Sequence, residues 1–456
     1  MVKKVSFCGI SGSGMSALAQ VLKAKGFEVS GSDRSFDQGK DEKNKKALED
    51  IGIKIFKQDG SAVQKDTDFL YISTAVEESI PDVKKALQLG VKIQKRSDLL
   101  AQIFGEYKYG VAVGGTSGKT TLTAMIGYIL DVALKKPTVI NGGLLKNYSG
   151  QKGIENVILN NGDIAVIEAD ESDGSIEKYT PFISVVNNIT IDHKPINELK
   201  KLFFDFAIKA KYAVVNADCE NSKELLTLKN AKTFSIKDEK ADICLSNIKP
   251  LKDGVSYQLK GKTFHLKLIG AFNVSNAAAA ILTTSLLGVD VFKAAEILQN
   301  FSGTKRRLDV IGSKNNITVI DDFAHNPDKV KASISALKDY EGRVLVMFQP
   351  HGFSPMRMMG HQIIESFAST MDKDDVLFMP EIFYAGGSVK RDISSKDLIE
   401  YANSLNLNAE FYPLRDDIKN RILEITKQGD RIVIMGARDN TLPDFCKSIL
   451  EEIKNA

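Results

Sequence analysis

Short apolar, β-branched runs alternate with amphipathic stretches of helical spacing along nearly the whole chain. The runs "VSFCGI", "VLVMF" and "RIVIMG" each lead into a turn and then a helix-like pattern. That rhythm predicts parallel α/β layers, in which buried strands are joined by helices crossing over the sheet. The pattern breaks into three stretches. The first spans 1–108 and closes in "KRSDLLAQIFGEYKYG", the second spans 109–303 and ends after "ILQNFSG", and in the third, 304–456, the alternation restarts. A chain of 456 residues is too long for one core, and roughly 150 residues per domain also gives about three.

Two strand-to-helix turns carry glycines. "VSFCGISGSGMSALAQVLKAKGFEVSGSD" places Gly9, Gly12 and Gly14 before a helix whose Met15, Leu18, Ala19 and Leu22 are spaced to face a core. It is a partial dinucleotide fingerprint, because Ser11 stands where the second glycine belongs. Asp33 follows the next strand, where an acidic residue would meet a ribose hydroxyl. Taken alone, this turn admits an NAD-linked oxidoreductase.

The second turn is "VAVGGTSGKTTLTAMIGYIL". Val111–Val113 read as a buried strand, and Leu122, Met125, Ile126, Ile129 and Leu130 recur at helical spacing. The common P-loop would need a glycine where Val113 stands, so this loop is shorter. A helix N-terminus aims backbone N–H groups and the positive end of its dipole at one place, which makes an anion site. Gly114, Gly115 and Gly118 let that backbone approach a ligand. Lys119 can reach terminal phosphates, and Thr120 or Thr121 can ligate magnesium. A merely glycine-rich turn would leave Lys-Thr-Thr unexplained.

Downstream, "DIAVIEADESDGS" ends an apolar run in Glu168, Asp170, Glu171 and Asp173. Parallel sheets bind ligands at the carboxyl ends of their strands, and hard oxygen donors there suit magnesium; the alternative is an acidic, solvated loop. "SVVNNITIDHK" ends in Asp192 and His193. Of five histidines, His193, His325 and His351 fall in motif-like places, whereas His265 and His361 read as structural. "GAFNVSNAAAAI" reads by itself as an alanine-rich helix with an asparagine cap. "GTKRRLDVIG" and "VIDDFAHNPDKV" open the third stretch with a basic pair and two aspartates. They form either a surface salt-bridge cluster or a cation source that neutralises charge during phosphoryl transfer.

Charge and cysteine usage narrow the partners. The 61 basic and 58 acidic residues leave a net charge of +3, so no global field argues for nucleic acid or an anionic membrane. Cys8, Cys219, Cys244 and Cys446 are far apart and make no C-x-x-C pair. No run approaches the ~18 apolar residues of a membrane span, and no secretory pattern precedes "VSFCGI". The expectation is a cytoplasmic protein acting on small molecules.

These stretches, in this order, resemble the Mur ligases, the amide-forming enzymes that build the peptide of bacterial cell-wall precursors. The short loop G-T-x-G-K-T is normal in that family. The resemblance implies three α/β domains: a Rossmann-like UDP-sugar domain (1–108), a central P-loop ATPase-like domain (109–303) and a Rossmann-like C-terminal domain (304–456). It implies ATP and magnesium as cofactors. ATP would be held by Gly115, Thr116, Ser117, Gly118, Lys119, Thr120 and Thr121, by Asn273 and Asn276 near the adenine, and by Arg307, Asp322 and His325. The metal would be held by Thr120, Glu168 and His193, with Lys119, Glu168, His193 and Arg307 as the catalytic set. The opening segment, with "YISTAV" and "QKRSDLL", is similar to the branch that adds alanine to UDP-N-acetylmuramate. The UDP-sugar then falls to Gly9, Ser11, Gly12, Ser13, Gly14, Met15, Asp33, Ser73 and Arg96.

Departures from the family pattern are concentrated at positions that matter. Ser117 stands where the alanine-adding branch has histidine, Gly352 and Pro355 where arginine is usual, Phe272 for a histidine and Phe323 for a tyrosine. A carboxylate-binding arginine is the natural grip on an amino acid, so Arg357 or Arg438, with His351, is expected to serve. Two alternatives follow: a ligase that recycles muropeptides by attaching a tripeptide, and a non-catalytic sensor on the same scaffold. Closure of the domains over the substrates is expected to hinge near Gly303 and Thr304.

Overall fold

A computed structural model describes residues 2–73, 76–172, 174–190, 194–251, 253–384 and 390–453. The first sheet is built from β1 (Lys4–Cys8), β2 (Glu28–Ser32), β3 (Lys54–Phe56), β4 (Phe69–Ile72) and β5 (Lys92–Lys95). All its pairs are parallel, in the order β3-β2-β1-β4-β5. Strand order reverses at β1, which opens a crevice beyond its carboxyl end. The first glycine turn leaves the sheet there.

The second sheet comprises β6 (Tyr109–Gly114), β7 (Thr138–Ile140), β8 (Val157–Ile158), β9 (Ile164–Glu168), β10 (Ile183–Val186), β11 (Tyr212–Asn216), β12 (Ala231–Ser235), β13 (Ile243–Leu251), β14 (Gly254–Leu259) and β15 (Lys262–Leu266). Its order is β15-β14-β13-β12-β11-β10-β6-β9-β7-β8. Strand β6 lies between β9 and β10, parallel to both. Val111, Ala112 and Val113 have no solvent exposure, so the strand is apolar without alternation, as expected where both faces are covered.

The third sheet runs β16-β17-β21-β18-β19-β20, from β16 (Asp309–Lys314), β17 (Ile317–Asp322), β18 (Val344–Phe348), β19 (Val376–Met379), β20 (Ala409–Phe411) and β21 (Arg431–Met435). Only its edge pair, β16 with β17, is antiparallel. Alternation along β18 divides two cores. Val344, Val346 and Phe348 pack into one, Leu345 and Met347 into the other.

The chain packs as two compact units. One holds residues 1–247, 257–266 and 274–304; the other holds 248–256, 267–273 and 305–456. In the first unit a single apolar cluster includes Phe7, Leu18 and Phe104 together with Ala112 and Phe203. The four cysteines are free thiols. Among the described residues no helix is long and apolar enough to cross a membrane. His265 lies exposed on β15, and His361 stacks on Tyr401 with ring centroids 4.2 Å apart.

Candidate active site

The short phosphate loop follows β6 and ends in helix Lys119–Val132. Gly118 caps that helix with φ +83°, and a Cβ there would lie 2.6 Å from the Asn187 amide nitrogen and 3.0 Å from Asn276 Oδ1. Gly115 is equally committed, at φ +131° with Asn187 and Asn188 about its α-carbon. These glycines are required by the backbone angle and by the close approach of Asn187, Asn188 and Asn276.

Asn187 and Asn188, at the carboxyl end of β10, are residues for which the sequence suggested no role. Asn188 Oδ1 accepts from Ser117 N (2.8 Å) and from the Thr116 hydroxyl (2.9 Å). Both Asn187 and Asn188 donate side-chain amides to the Ser117 carbonyl at 3.0 Å. Asn187 also donates to Asn276 Oδ1 (2.9 Å), which ties the expected adenine-side residue to the phosphate loop. Asn273 donates to the Ile269 carbonyl at the start of the same helix. The signal was present as two adjacent amides directly after a buried strand, where an amide needs partners.

Lys119 Nζ lies 2.6 Å from Glu171 Oε2 and donates to the Gly115 carbonyl at 2.8 Å. The Glu171 side chain is only 3% exposed, so the pair is effectively buried. Thr120 donates its hydroxyl to Glu168 Oε2 at 3.1 Å, and Glu168 Oε1 accepts from Gly142 N at 2.5 Å. Burial pushes the Asp170 carboxyl up, but the charge of Lys119, the bonds from Ser172 and the charge of Arg96 outweigh it, leaving Asp170 below its ordinary value. Thr120 and Glu168 therefore offer two hard oxygens side by side, a donor set that fits magnesium. His193 and Asp173, the other acidic-run and histidine candidates, lie outside the described residues.

The first glycine turn is held from beneath. Gly9, at φ +82°, donates to the Ser32 carbonyl, and Ser11 N donates to Asp33 Oδ2 at 3.0 Å. The other Asp33 oxygen accepts from Ser35 N and Oγ. Asp33 thus shapes the turn as well as bordering it. Gly12 precedes helix Ser13–Ala24, in which Met15 is buried. Gly14 faces Arg96: a Cβ there would stand 3.0 Å from the guanidinium, so a side chain at this position would make Arg96 shift from its place across the helix start. Ser73 is half-buried beyond β4.

The second unit gathers the remaining candidates. Asp322 ends β17 and is buried, with Oδ1 accepting from Leu308 N (3.0 Å) and Oδ2 from the Ser333 hydroxyl (2.6 Å); burial raises its pKa. Arg306 and Arg307 stand over the Phe323 ring at 5.0 and 4.7 Å. Arg306 is further anchored by Asp321 at 3.5 Å and the Gly436 carbonyl, while Arg307 is the family position. His325 Nδ1 meets the Phe323 carbonyl at 2.8 Å, and its ring is edge-on to His351 at 5.7 Å. Burial, then Lys329, lowers the His325 pKa to about 4, so it is neutral at pH 7. Burial and the charge of Arg438, another acceptor candidate, also lower His351. Arg357 is engaged elsewhere, bonded to Asp392, the Lys390 carbonyl and the Ser354 hydroxyl.

Comparison with known proteins follows the same three sheets. The model of the Mur ligase family catalytic domain matches residues 4–108, that of the Mur ligase middle domain 113–284, and that of the Mur ligase glutamate ligase domain 306–438. A UDP-N-acetylmuramate--L-alanine ligase from Sulfurihydrogenibium sp. is 36% identical, covering 99% of this chain and 98% of its own. The protein of the same name from Persephonella marina is 35% identical over 100% and 98%. The crystal structure of UDP-N-acetylmuramate-alanine ligase from Thermotoga maritima superposes with a TM-score of 0.80 at 26% identity, covering 98% of both chains. A murein peptide ligase from Psychrobacter arcticus shares the fold, with a TM-score of 0.68 at 23% identity over 100% and 99%. With relatives above 30% identity along its full length and family models across all three sheets, this chain belongs to the Mur ligase family.

Proposed function

We propose that the chain is an ATP-dependent ligase that joins L-alanine to UDP-N-acetylmuramate, within the three domains 1–108, 109–303 and 304–456. The observation that carries the nucleotide half is the pairing of Lys119 with Glu171 and of Thr120 with Glu168 at the carboxyl ends of β6 and β9. The alanine half rests on the full-length similarity to ligases of that name. Both substrates are small molecules, and the protein works in the cytoplasm.

In the first step a muramate carboxylate oxygen attacks the γ-phosphorus of ATP, and ADP leaves. In the second the alanine amine attacks the acyl carbon, phosphate leaves and the amine loses a proton. Both steps are positioning and charge problems more than proton-transfer problems. The phosphate loop fixes the nucleotide through backbone N–H groups and Lys119. Arg307, its guanidinium held against Phe323, adds positive charge. His325, kept neutral by burial, adds a hydrogen bond without adding charge. Thr120, Glu168 and His193 would hold magnesium, which when bound neutralises the phosphate oxygens. Gly9–Gly14, Asp33, Ser73 and Arg96 take the UDP-sugar, and His351 with Arg438 receives the amino acid carboxylate.

The test is phosphate release from purified protein with ATP, magnesium and UDP-N-acetylmuramate, screened against amino acids and the cell-wall tripeptide. Alanine-dependent release that chelation of magnesium abolishes is the expected result. Release with the tripeptide alone would replace the acceptor, and background release with every amine would refute catalysis.

A further inference from the structure

The helix Ser13–Ala24 carries one residue that its core-facing side does not call for. Gln20 is 2% exposed, among Met15, Leu18, Ala19 and Leu22. A leucine or methionine would fill that place with no polar group to satisfy. Instead both ends of the Gln20 amide grip one loop of the second sheet: Nε2 donates to Asn156 Oδ1 at 2.9 Å, and Oε1 accepts from Ile154 N at 2.9 Å. Gly153 makes the fit possible, since a Cβ there would come within 2.3 Å of Gln20 Oε1.

Asn156 carries the contact in two directions. Its side-chain amide donates back to the Ser13 carbonyl (2.8 Å) and Ser16 hydroxyl (3.1 Å), at the first turn of the helix that follows the first glycine turn. Its own carbonyl accepts from Asn141 N at 3.0 Å. The next residue is Gly142, whose N–H holds Glu168 Oε1, and the other Glu168 oxygen receives Thr120 of the phosphate loop. A Cβ on Gly142 would lie 2.7 Å from Glu168 Oε1, so any side chain there would push that carboxylate aside. A connected path, buried at Gln20 and Asn156 and open to solvent at Gly142, therefore runs from the start of the sugar-side helix to the carboxylate beside the phosphate loop. Plain adhesive between two sheets would be expected to use apolar side chains and to end anywhere. This set ends on the two substrate turns.

We propose that Gln20 and Asn156 are positioning residues that couple the two turns: through them, occupation of the first glycine turn by UDP-sugar sets the orientation of Glu168 and so changes the affinity for magnesium-ATP. The inference rests on the functional reading above. The Gln20 and Asn156 side-chain amides are paired at both ends, which holds them to one geometry, so a shift at Ser13 is passed to the loop that carries Asn141 and Gly142. Coupling between sites is reciprocal and amounts to about 5- to 150-fold in affinity.

The experiment is calorimetric titration of the full-length protein with a non-hydrolysable ATP analogue and magnesium, alone and at saturating UDP-N-acetylmuramate. Wild type is expected to show a change in analogue affinity of at least about fivefold. Gln20→Met and Asn156→Ala are expected to reduce that change to under about twofold, while the analogue's affinity without the sugar stays within about threefold. The double variant should lose no more than either single one, because both break the same path. Variants that melt earlier but keep the wild-type coupling would overturn the proposal and leave the network as adhesive; so would a wild type with ligase activity and no coupling. Where Asn156→Ala does not fold, Gln20→Glu, which keeps an acceptor for Ile154 N, is judged by the same measure. A wild type that neither binds UDP-N-acetylmuramate nor ligates it refutes the functional reading, and with it this inference, by a different result.

Discussion

Gly118→Ala tests whether the phosphate loop is shaped by what surrounds it. Gly118 sits at φ +83°, where an L-residue costs about 1–2 kcal/mol. The new methyl would also be 2.6 Å from Asn187 Nδ2 and 3.0 Å from Asn276 Oδ1, so the Asn187 amide must move. That amide donates to the Ser117 carbonyl and to Asn276, and each such bond contributes about 0.5–1.5 kcal/mol. The sum is about 2–5 kcal/mol, shared between lost stability and lost nucleotide affinity; if all fell on affinity it would be about 30-fold or more. Gly150→Ala is the control. Its φ of +87° imposes the same backbone cost, but nothing lies within 4 Å of its added methyl. Chemical unfolding and calorimetric titration of ATP should therefore show Gly150→Ala losing only the backbone share, with affinity unchanged. If the two variants behaved alike, the asparagine clamp would have no part in shaping the loop.

Other outcomes follow from the same geometry. Glu171→Leu leaves the Lys119 ammonium with the Gly115 carbonyl as its remaining contact in this pair of bonds, and breaking a buried pair on one side costs about 3 kcal/mol in unfolding free energy; a loss below ~1 kcal/mol in urea titrations would contradict the pairing. Burial outweighs the Arg306 contact and raises Asp321 to about 7, so the native state holds an extra proton between the ordinary carboxylate range and pH 7. Stability from this group is complete at low pH and is lost as pH rises to about 7, and Asp321→Asn should remove that fall in unfolding measurements. His325, lowered to about 4, has the opposite sign: its contribution is present above its ordinary value and is lost as pH drops towards 4, so the Asp321→Asn variant should show a rise in stability between pH 4 and 6.5 that a further His325→Gln change flattens. For the acceptor, Arg438→Ala should raise the alanine KM by at least tenfold, as expected for loss of a carboxylate contact, while Arg357→Ala, whose guanidinium is already committed to Asp392, should leave it within threefold.

The alternation of apolar runs made the α/β class legible because strands buried on both faces, such as β6, read as continuous apolar segments. The phosphate loop was legible for a related reason: glycine, lysine and threonine at fixed offsets have few other uses. What the sequence could not display were contacts between distant segments. Glu171 stood in a run of four acidic residues, and only the turn after β9 selects it for Lys119 over its neighbours. Gln20 and Asn156 are separated by 136 residues, and neither belongs to a run with chemical character. Asn187 and Asn188 are nearer the surface of legibility, since adjacent amides after a buried strand must find partners. The partner they share, the Ser117 carbonyl, could not be read from side chains at all.

At Ser117 the structure uses the peptide and not the side chain: its N–H goes to Asn188, and its carbonyl receives both asparagines. Serine in place of histidine therefore leaves the loop's scaffold untouched. Gly352 stands at φ +69° at the head of helix Phe353–Ala368, with the Pro355 ring 3.3 Å from where a Cβ would be. There, glycine and proline form one local solution to the turn, and the arginines expected nearby would disturb it. Phe323 needs no hydroxyl for the contacts it makes, because the faces of its ring meet Arg306 and Arg307 and its carbonyl meets His325. The substitutions thus fall where main chain or ring face does the holding. The loop's main-chain scaffold survives them, and on the proposed reading the amino acid grip falls to Arg438, whose charge is felt at His351.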